Sequence, residues 1–157
     1  MALQFKPAVV EECRAIIAKY PKSRSAVLPL LYVAQREFGY VPKEAEELVA
    51  GLLDLPPADV AGVVSFYTMF HREPVGKYVV QVCRTLSCAL MGADDLASHL
   101  QKKLGIGPGE TTPDGRFTLK WVECLASCGT APVVQINDDY HENLSIQQLN
   151  QLLDSLP

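Results

Sequence analysis

The 157-residue sequence has no cluster of lysine or arginine, no apolar run of membrane-spanning length, no leader-like start and few cysteines. Each shortage removes a class of function. With 14 basic against 18 acidic residues the net charge is −4, whereas nucleic-acid binding calls for a basic face, so no nucleic-acid partner is expected. The longest apolar stretches, AVLPLLYVA and ELVAGLLDL, fall well short of the roughly 20 residues of a membrane helix, which argues against direct membrane insertion. The start, MALQFKPAVVEEC, lacks a continuous apolar segment and a small-residue cleavage site. No secretory signal is expected, and the chain is assigned to the cytoplasm, where thiols stay reduced. Five cysteines are too few and too unevenly placed for a disulfide scaffold.

What remains is 48% hydrophobic, enough for a real core, in a length that fits one medium or two small domains. The first seventy residues read as helices. KPAVVEECRAIIAKY carries a stripe of Val9, Val10, Cys13, Ile16, Ile17 and Tyr20, stopped by Pro21. SAVLPLLYVAQREFG follows, with Leu28, Leu31, Tyr32 and Phe38 on one side, Pro29 near its start and Gly39 at its end. VPKEAEELVAGLLDL takes Pro42 as its first helical residue, and PPADVAGVVSFYTMF supplies a fourth segment with Val60, Val63, Val64 and Tyr67. These predict a small helical bundle.

The pattern changes at HREPVGKY, where Pro74 and Gly76 mark a domain boundary. KYVVQVC reads as a strand, GADDLASHLQKKLG as a helix with Asp94 and Asp95 in its first turn, and PGETTPDGRF as a loop with an Asp-Gly turn. FTLKWVEC is a second strand and APVVQIND a third, with YHENL pairing across Asp138-Asp139 as a fourth. SIQQLNQLLDSL is a helix whose Ser145 and Gln148 fit a capping box. A helix links the first two strands, so they should run parallel, and the last two should form a hairpin. That order predicts an α/β sheet of thioredoxin-like type.

Cys83 and Cys88 follow the first strand, separated by four residues; Cys124 and Cys128 follow the second, separated by three. Parallel strands end on one edge of a sheet, so the two loops can meet. Four readings are open. The cysteines can be ordinary buried thiols. They can form a thiol–disulfide relay, but neither pair has the two-residue spacing of such sites. They can hold tetrahedral zinc, whose structural sites usually staple domains too small to fold alone. Or they can ligate a 2Fe–2S cluster, which takes two thiolates on each iron. Such a dianionic group needs donors, and Thr85, Ser87, Ser127, Gly129 and Thr130 are candidates for aiming N–H groups at the sulfurs. Spacing alone does not separate iron–sulfur from zinc.

The stretches VVSFYTMFHREPVGKYVVQVCRTLSCALMGADDL and GIGPGETTPDGRFTLKWVECLASCGTAPVVQIND, with the helices before them, closely resemble the family of thioredoxin-like 2Fe–2S subunits (E-type) of bacterial NADH:quinone oxidoreductase, respiratory complex I. The resemblance spans nearly the whole chain. It implies an α+β protein: an N-terminal helical bundle over residues 1–75, then a thioredoxin-like α/β ferredoxin domain over 76–157. It also implies that Cys83, Cys88, Cys124 and Cys128 ligate one 2Fe–2S cluster. FMN and the NADH site belong, on this resemblance, to a partner flavoprotein with a further iron–sulfur cluster, inside a larger complex at the inner face of the membrane. The cluster would exchange single electrons with the flavin, off the main electron path. The chain would thus be an electron-transfer subunit of an NADH dehydrogenase, with no catalytic site of its own. Similar subunits serve NAD-linked hydrogenases and formate dehydrogenases; complex I is preferred because no extra cluster motif is present. A zinc-stabilised interaction module is the rival from another class.

Other residues have plainer readings. Cys13 sits on an apolar helical stripe and reads as core. Trp121 reads as core or partner contact, and Arg84 as surface charge rather than a counter-ion. His71, His99 and His141 lie apart without ligand spacing. Pro132 directly follows the second cysteine loop, where thioredoxin-like folds often carry a cis proline. FYTMF reads as core or as a partner-binding ridge.

Overall fold

A computed structural model describes residues 3–157, which divide into two compact units between Pro74 and Val75. The first unit is helical: α1 (Pro7–Ile17), a 3-10 turn (Ser23–Ala26), α2 (Val27–Phe38), α3 (Lys43–Leu53) and α4 (Pro57–Phe66). Its core joins Val9 and Cys13 of α1 to Leu30, Leu31 and Ala34 of α2, Val49 and Leu53 of α3, and Val60 and Val64 of α4. Pro29 is the third residue of α2, where its missing N–H has no intrahelical partner to lose. Gly39 closes α2 at φ +82°, and its N–H donates to the Gln35 carbonyl at 2.8 Å.

Three boundaries differ from the sequence expectation, each for a local reason. Pro42 precedes α3 as its cap residue, with ψ 166°, rather than opening the helix. α1 ends at Ile17, and the N–H groups of Lys19 and Tyr20 tighten the chain onto carbonyls three residues back before Pro21. α4 stops at Phe66 because another partner takes over the backbone. The Gln35 side-chain amide donates to the Met69 carbonyl at 2.9 Å and accepts from the His71 N–H at 2.8 Å. The chain thereby leaves the helix with its polar groups paired, and Phe70 returns to the core. Tyr32, expected on the buried stripe of α2, is about half exposed and meets Phe70 edge-on, with centroids 5.3 Å apart.

The second unit contains β1 (Tyr78–Cys83), α5 (Leu86–Leu90), α6 (Ala93–Leu104), β2 (Phe117–Val122), a 3-10 turn (Cys128–Thr130), β3 (Val134–Ile136), β4 (Asp139–His141) and α7 (Ile146–Ser155). The sheet order is β2-β1-β3-β4. β1 and β2 are parallel, in register from Tyr78↔Phe117 to Cys83↔Val122. β1 also pairs antiparallel with β3, and β3 forms a hairpin with β4. The hairpin turn falls at Asn137-Asp138 instead of Asp138-Asp139: Ile136 pairs with Asp139, and Asn137 takes the left-handed conformation at φ 53° that asparagine tolerates.

Val80, Val82 and Leu119 of the sheet pack with Leu100 of α6 and Leu149 and Leu153 of α7. Ser145 and Gln148 cap α7 reciprocally. Gly76 passes so close to β2 that a Cβ would lie 2.8 Å from the Phe117 carbonyl carbon, and only glycine fits there. Among the described residues, no helix is long and apolar enough to cross a membrane.

In the helical unit Glu46 is almost fully buried, and its Oε1 lies 3.6 Å from the Arg72 guanidinium without a hydrogen bond. Burial raises its carboxyl above the ordinary 4.5, with Arg72 opposing the shift. The folded state therefore binds this proton more tightly than the unfolded chain, and the linked stability is lost as pH rises above 4.5. Glu46→Gln should match the wild type in melting temperature near the acid end and exceed it at alkaline pH. A Gln variant that melts below the wild type at high pH would contradict this.

Candidate metal centre

The end of β1 places Cys83, whose N–H donates to the Val133 carbonyl at 3.2 Å. One residue on, the Arg84 N–H donates to the Val122 carbonyl at 3.0 Å, so the parallel ladder persists to the edge from which both cysteine loops leave. Cys88 sits within α5, a five-residue helix. On the other loop Cys124 lies two residues beyond β2, and Cys128 opens the second 3-10 turn. Leu125 between them is buried in the core and pins that loop. The Ala131–Pro132 peptide is cis, and Val133 then enters the core directly behind the thiols. Three segments meet here: 83–88, 123–130 and 131–133.

The thiols are unequal. Cys83 and Cys88 are buried; Cys124 and Cys128 are exposed. Burial alone would raise the Cys83 thiol. Hydrogen bonds from the Thr85 hydroxyl and N–H, the Leu125 N–H and the Cys88 thiol outweigh it and hold Cys83 below the ordinary range. The Cys83 Sγ to Thr85 Oγ1 distance is 3.2 Å. Cys88 is raised, by burial first and by the hydrogen bond it gives Cys83; the Val133 N–H partly offsets this, and the charges of Cys83 and Cys128 add to it. The opposed shifts make Cys83 the thiol of the pair that ionises first. On the outer loop the Ala126 N–H donates to Cys124 Sγ at 3.3 Å, with Ala126 in the left-handed region at φ 57°.

Cys83 and Cys88 are therefore in contact, Cys128 acts on Cys88 electrostatically, and Cys124 is tied to its own loop. Among the described residues, no group of three or more His, Cys, Asp or Glu side chains is gathered closely enough to hold a metal ion. The donor chemistry fits an iron–sulfur group: backbone N–H groups aim at Cys83, Cys88 and Cys124, which is what thiolate ligands require.

Of the donors expected from sequence, Thr85 alone reaches a sulfur with both its hydroxyl and its N–H. Ser127 and Thr130 instead both donate to Glu142, with their hydroxyl oxygens 2.8 Å apart. The N–H donors that sequence reading misses are Leu125, Ala126 and Val133, apolar residues with no side-chain signal. Arg84 stacks on Trp121, 4.6 Å from its ring centroid, which gives that exposed charge a defined seat. His99 bonds Asn150 at 2.9 Å and joins α6 to α7. Leu86, Leu90 and Met91, on and just after α5, are exposed apolar side chains beside the site.

Removing the Thr85 hydroxyl tests the thiol electrostatics directly. In metal-free, reduced Thr85→Val protein, the first thiolate step in a pH titration followed by ultraviolet absorbance should move to higher pH. An unmoved step would mean that the hydroxyl does not stabilise the Cys83 thiolate.

The model of the family "Thioredoxin-like [2Fe-2S] ferredoxin" matches residues 13–157. An E-type subunit of NADH-quinone oxidoreductase from Rhizobium meliloti (strain 1021) is 48% identical over 145 residues, covering 92% of this chain and 86% of the relative. The E-type subunit of NADH-quinone oxidoreductase from Rickettsia felis is 50% identical over 142 residues, covering 88% and 85%. NADH-quinone oxidoreductase subunit 2 of Thermus thermophilus is 49% identical over 142 residues, covering 88% and 78%. Among solved structures, the NAD+-reducing [NiFe]-hydrogenase in the air-oxidized state aligns with TM-score 0.69 at 25% identity, over 80% of this chain and 22% of the hydrogenase chain.

Proposed function

The chain belongs to the thioredoxin-like [2Fe-2S] ferredoxin family, whose model matches residues 13–157, and from that premise we propose that it is the 2Fe–2S electron-transfer subunit of an NADH dehydrogenase module in NADH:quinone oxidoreductase. The fold is α+β, and the chain works as part of a larger complex. The observation that carries the reading is the convergence of two cysteine loops on one sheet edge, with backbone N–H groups aimed at their sulfurs. Identity of 48–50% to quinone oxidoreductase subunits, against 25% to the hydrogenase, favours the quinone-linked enzyme.

Cys83, Cys88, Cys124 and Cys128 are the proposed ligands, in a ferredoxin domain at 76–157 that follows a helical domain at 1–75. When bound, a 2Fe–2S cluster supplies a one-electron acceptor and donor. The chain's own residues do the rest. Thr85, Leu125, Ala126 and Val133 stabilise thiolate charge through their donors, and Leu125 and Val133 keep water from the inner side. The partner is a flavoprotein subunit that carries FMN and the NADH site, within a complex at the inner face of the membrane. Electron exchange falls steeply with distance, so the partner must cover the surface nearest the cysteines. Leu86, Leu90 and Met91 give that surface an apolar character suited to a protein face.

The full chain, reconstituted anaerobically with iron and sulfide, should be coloured and give a spin-one-half EPR signal after dithionite reduction. A colourless protein that takes zinc without acid-labile sulfide would overturn the assignment. Leu90→Glu should weaken retention of the flavoprotein several-fold while the isolated subunit keeps its EPR signal. Unchanged retention would exclude this face as the contact.

A further inference from the structure

Glu142 has a place at the cysteine site that none of the metal-binding logic requires. Its Oε1 accepts hydrogen bonds from the hydroxyls of Ser127 and Thr130, the latter at 2.5 Å. Those two residues bracket Cys128: Ser127 precedes it directly, and Thr130 ends the 3-10 turn that Cys128 opens. With both protons directed at Glu142, the two hydroxyl oxygens lie 2.8 Å apart, gathered on one carboxylate oxygen. The backbone beside Glu142 is fastened to the same loop. The Asn143 N–H donates to the Thr130 carbonyl at 2.8 Å, and the Leu144 N–H to the Pro132 carbonyl at 3.4 Å. The chain after β4 is therefore strapped along the outer cysteine loop.

We propose that Glu142 is a positioning residue for the iron–sulfur site: it holds the Cys124–Cys128 loop in its ligating conformation and sets a fixed negative charge beside it. The proposal rests on the 2Fe–2S reading above. The outer loop needs such a fastening. Cys124 and Cys128 are exposed, and Leu125 is the one residue among 123–130 that is buried. Hydrogen bonds from Ser127 and then Thr130 hold the Glu142 carboxyl below the usual carboxylate range, so it is ionised at neutral pH. Reduction adds an electron to the site, and a neighbouring carboxylate opposes added negative charge. Glu142 should therefore lower the reduction potential while it secures the loop.

Two substitutions separate these effects in the reconstituted full chain. In Glu142→Gln the carbonyl oxygen can still accept both hydroxyls, but the charge is gone. EPR-monitored redox titration should find a midpoint potential above that of the wild type, with iron released to a chelator at the wild-type rate. Glu142→Ala loses charge and fastening together. It should show the same upward shift in potential and several-fold faster iron release. A purely structural role would leave the potential of the Gln variant unmoved. An unshifted potential in the Gln variant, or a wild-type release rate in the Ala variant, overturns the proposal. A wild-type chain that takes up no cluster would instead overturn the functional reading itself.

Discussion

The parallel pairing of β1 with β2 is the constraint on which the site depends. The two strands run in register for six residue pairs, from Tyr78↔Phe117 to Cys83↔Val122, so they end together at one edge of the sheet. A parallel pair needs a crossover, and α6 supplies it while covering the sheet with Leu96 and Leu100. The register does more than align strands. It sets the last residue of β1, a cysteine, opposite the last residue of β2, two positions before the next cysteine. A slip of one residue would turn Cys83 to the other face of the sheet and separate it from Cys88. Core packing and ligand placement are thus fixed by the same ladder.

A second constraint closes the site from behind. β3 pairs antiparallel with β1 on the side away from β2, which brings Val133 against Cys83 and Cys88. Its carbonyl takes the Cys83 N–H and its own N–H reaches the Cys88 sulfur. One core residue therefore satisfies the end of a strand and a thiol together. The inner half of the site is held by backbone buried in the sheet. The outer half is held by side chains: Ser127, Thr130 and Glu142. Backbone donors in a packed sheet survive any substitution except proline, whereas the side-chain fastening can be altered with little effect on the core.

Much of this is legible in the sequence, because the signals are periodic or chemical. The β-branched residues of KYVVQVC, the strand-like run FTLKWVEC, the leucines of α6 and the Ser145/Gln148 cap each correspond to an observed element. The exit of both cysteine pairs from one edge follows from the parallel pair. Other features are not legible, for definite reasons. α5 is five residues long, too short to show a helical period, so the segment holding Cys88 reads as loop. The donors from Leu125, Ala126 and Val133 are backbone groups, and residue type does not encode where a main-chain N–H points. Glu142 joins Ser127 and Thr130 from 15 and 12 residues away, and Gln35 fastens the chain at Met69 and His71 from 34 and 36 residues away. Such contacts exist only once the fold has formed.

The unequal burial of the four cysteines bears on how such a chain works beside a partner. Cys83 and Cys88 already lie in a medium of low dielectric, with their charge met by fixed donors. Cys124 and Cys128 face water, which screens charge on that side. Covering the outer loop with a protein surface would remove this screening and strengthen every interaction that the exposed thiolates make. Arg84, seated on Trp121, belongs to the first cysteine loop; Glu142, of opposite charge, is bound to the hydroxyls of the second. Both would gain influence as water leaves. The electrostatics of the assembled site therefore depend on the partner surface as well as on this chain, and the electronic properties of the isolated protein should differ from those in the complex for that physical reason alone.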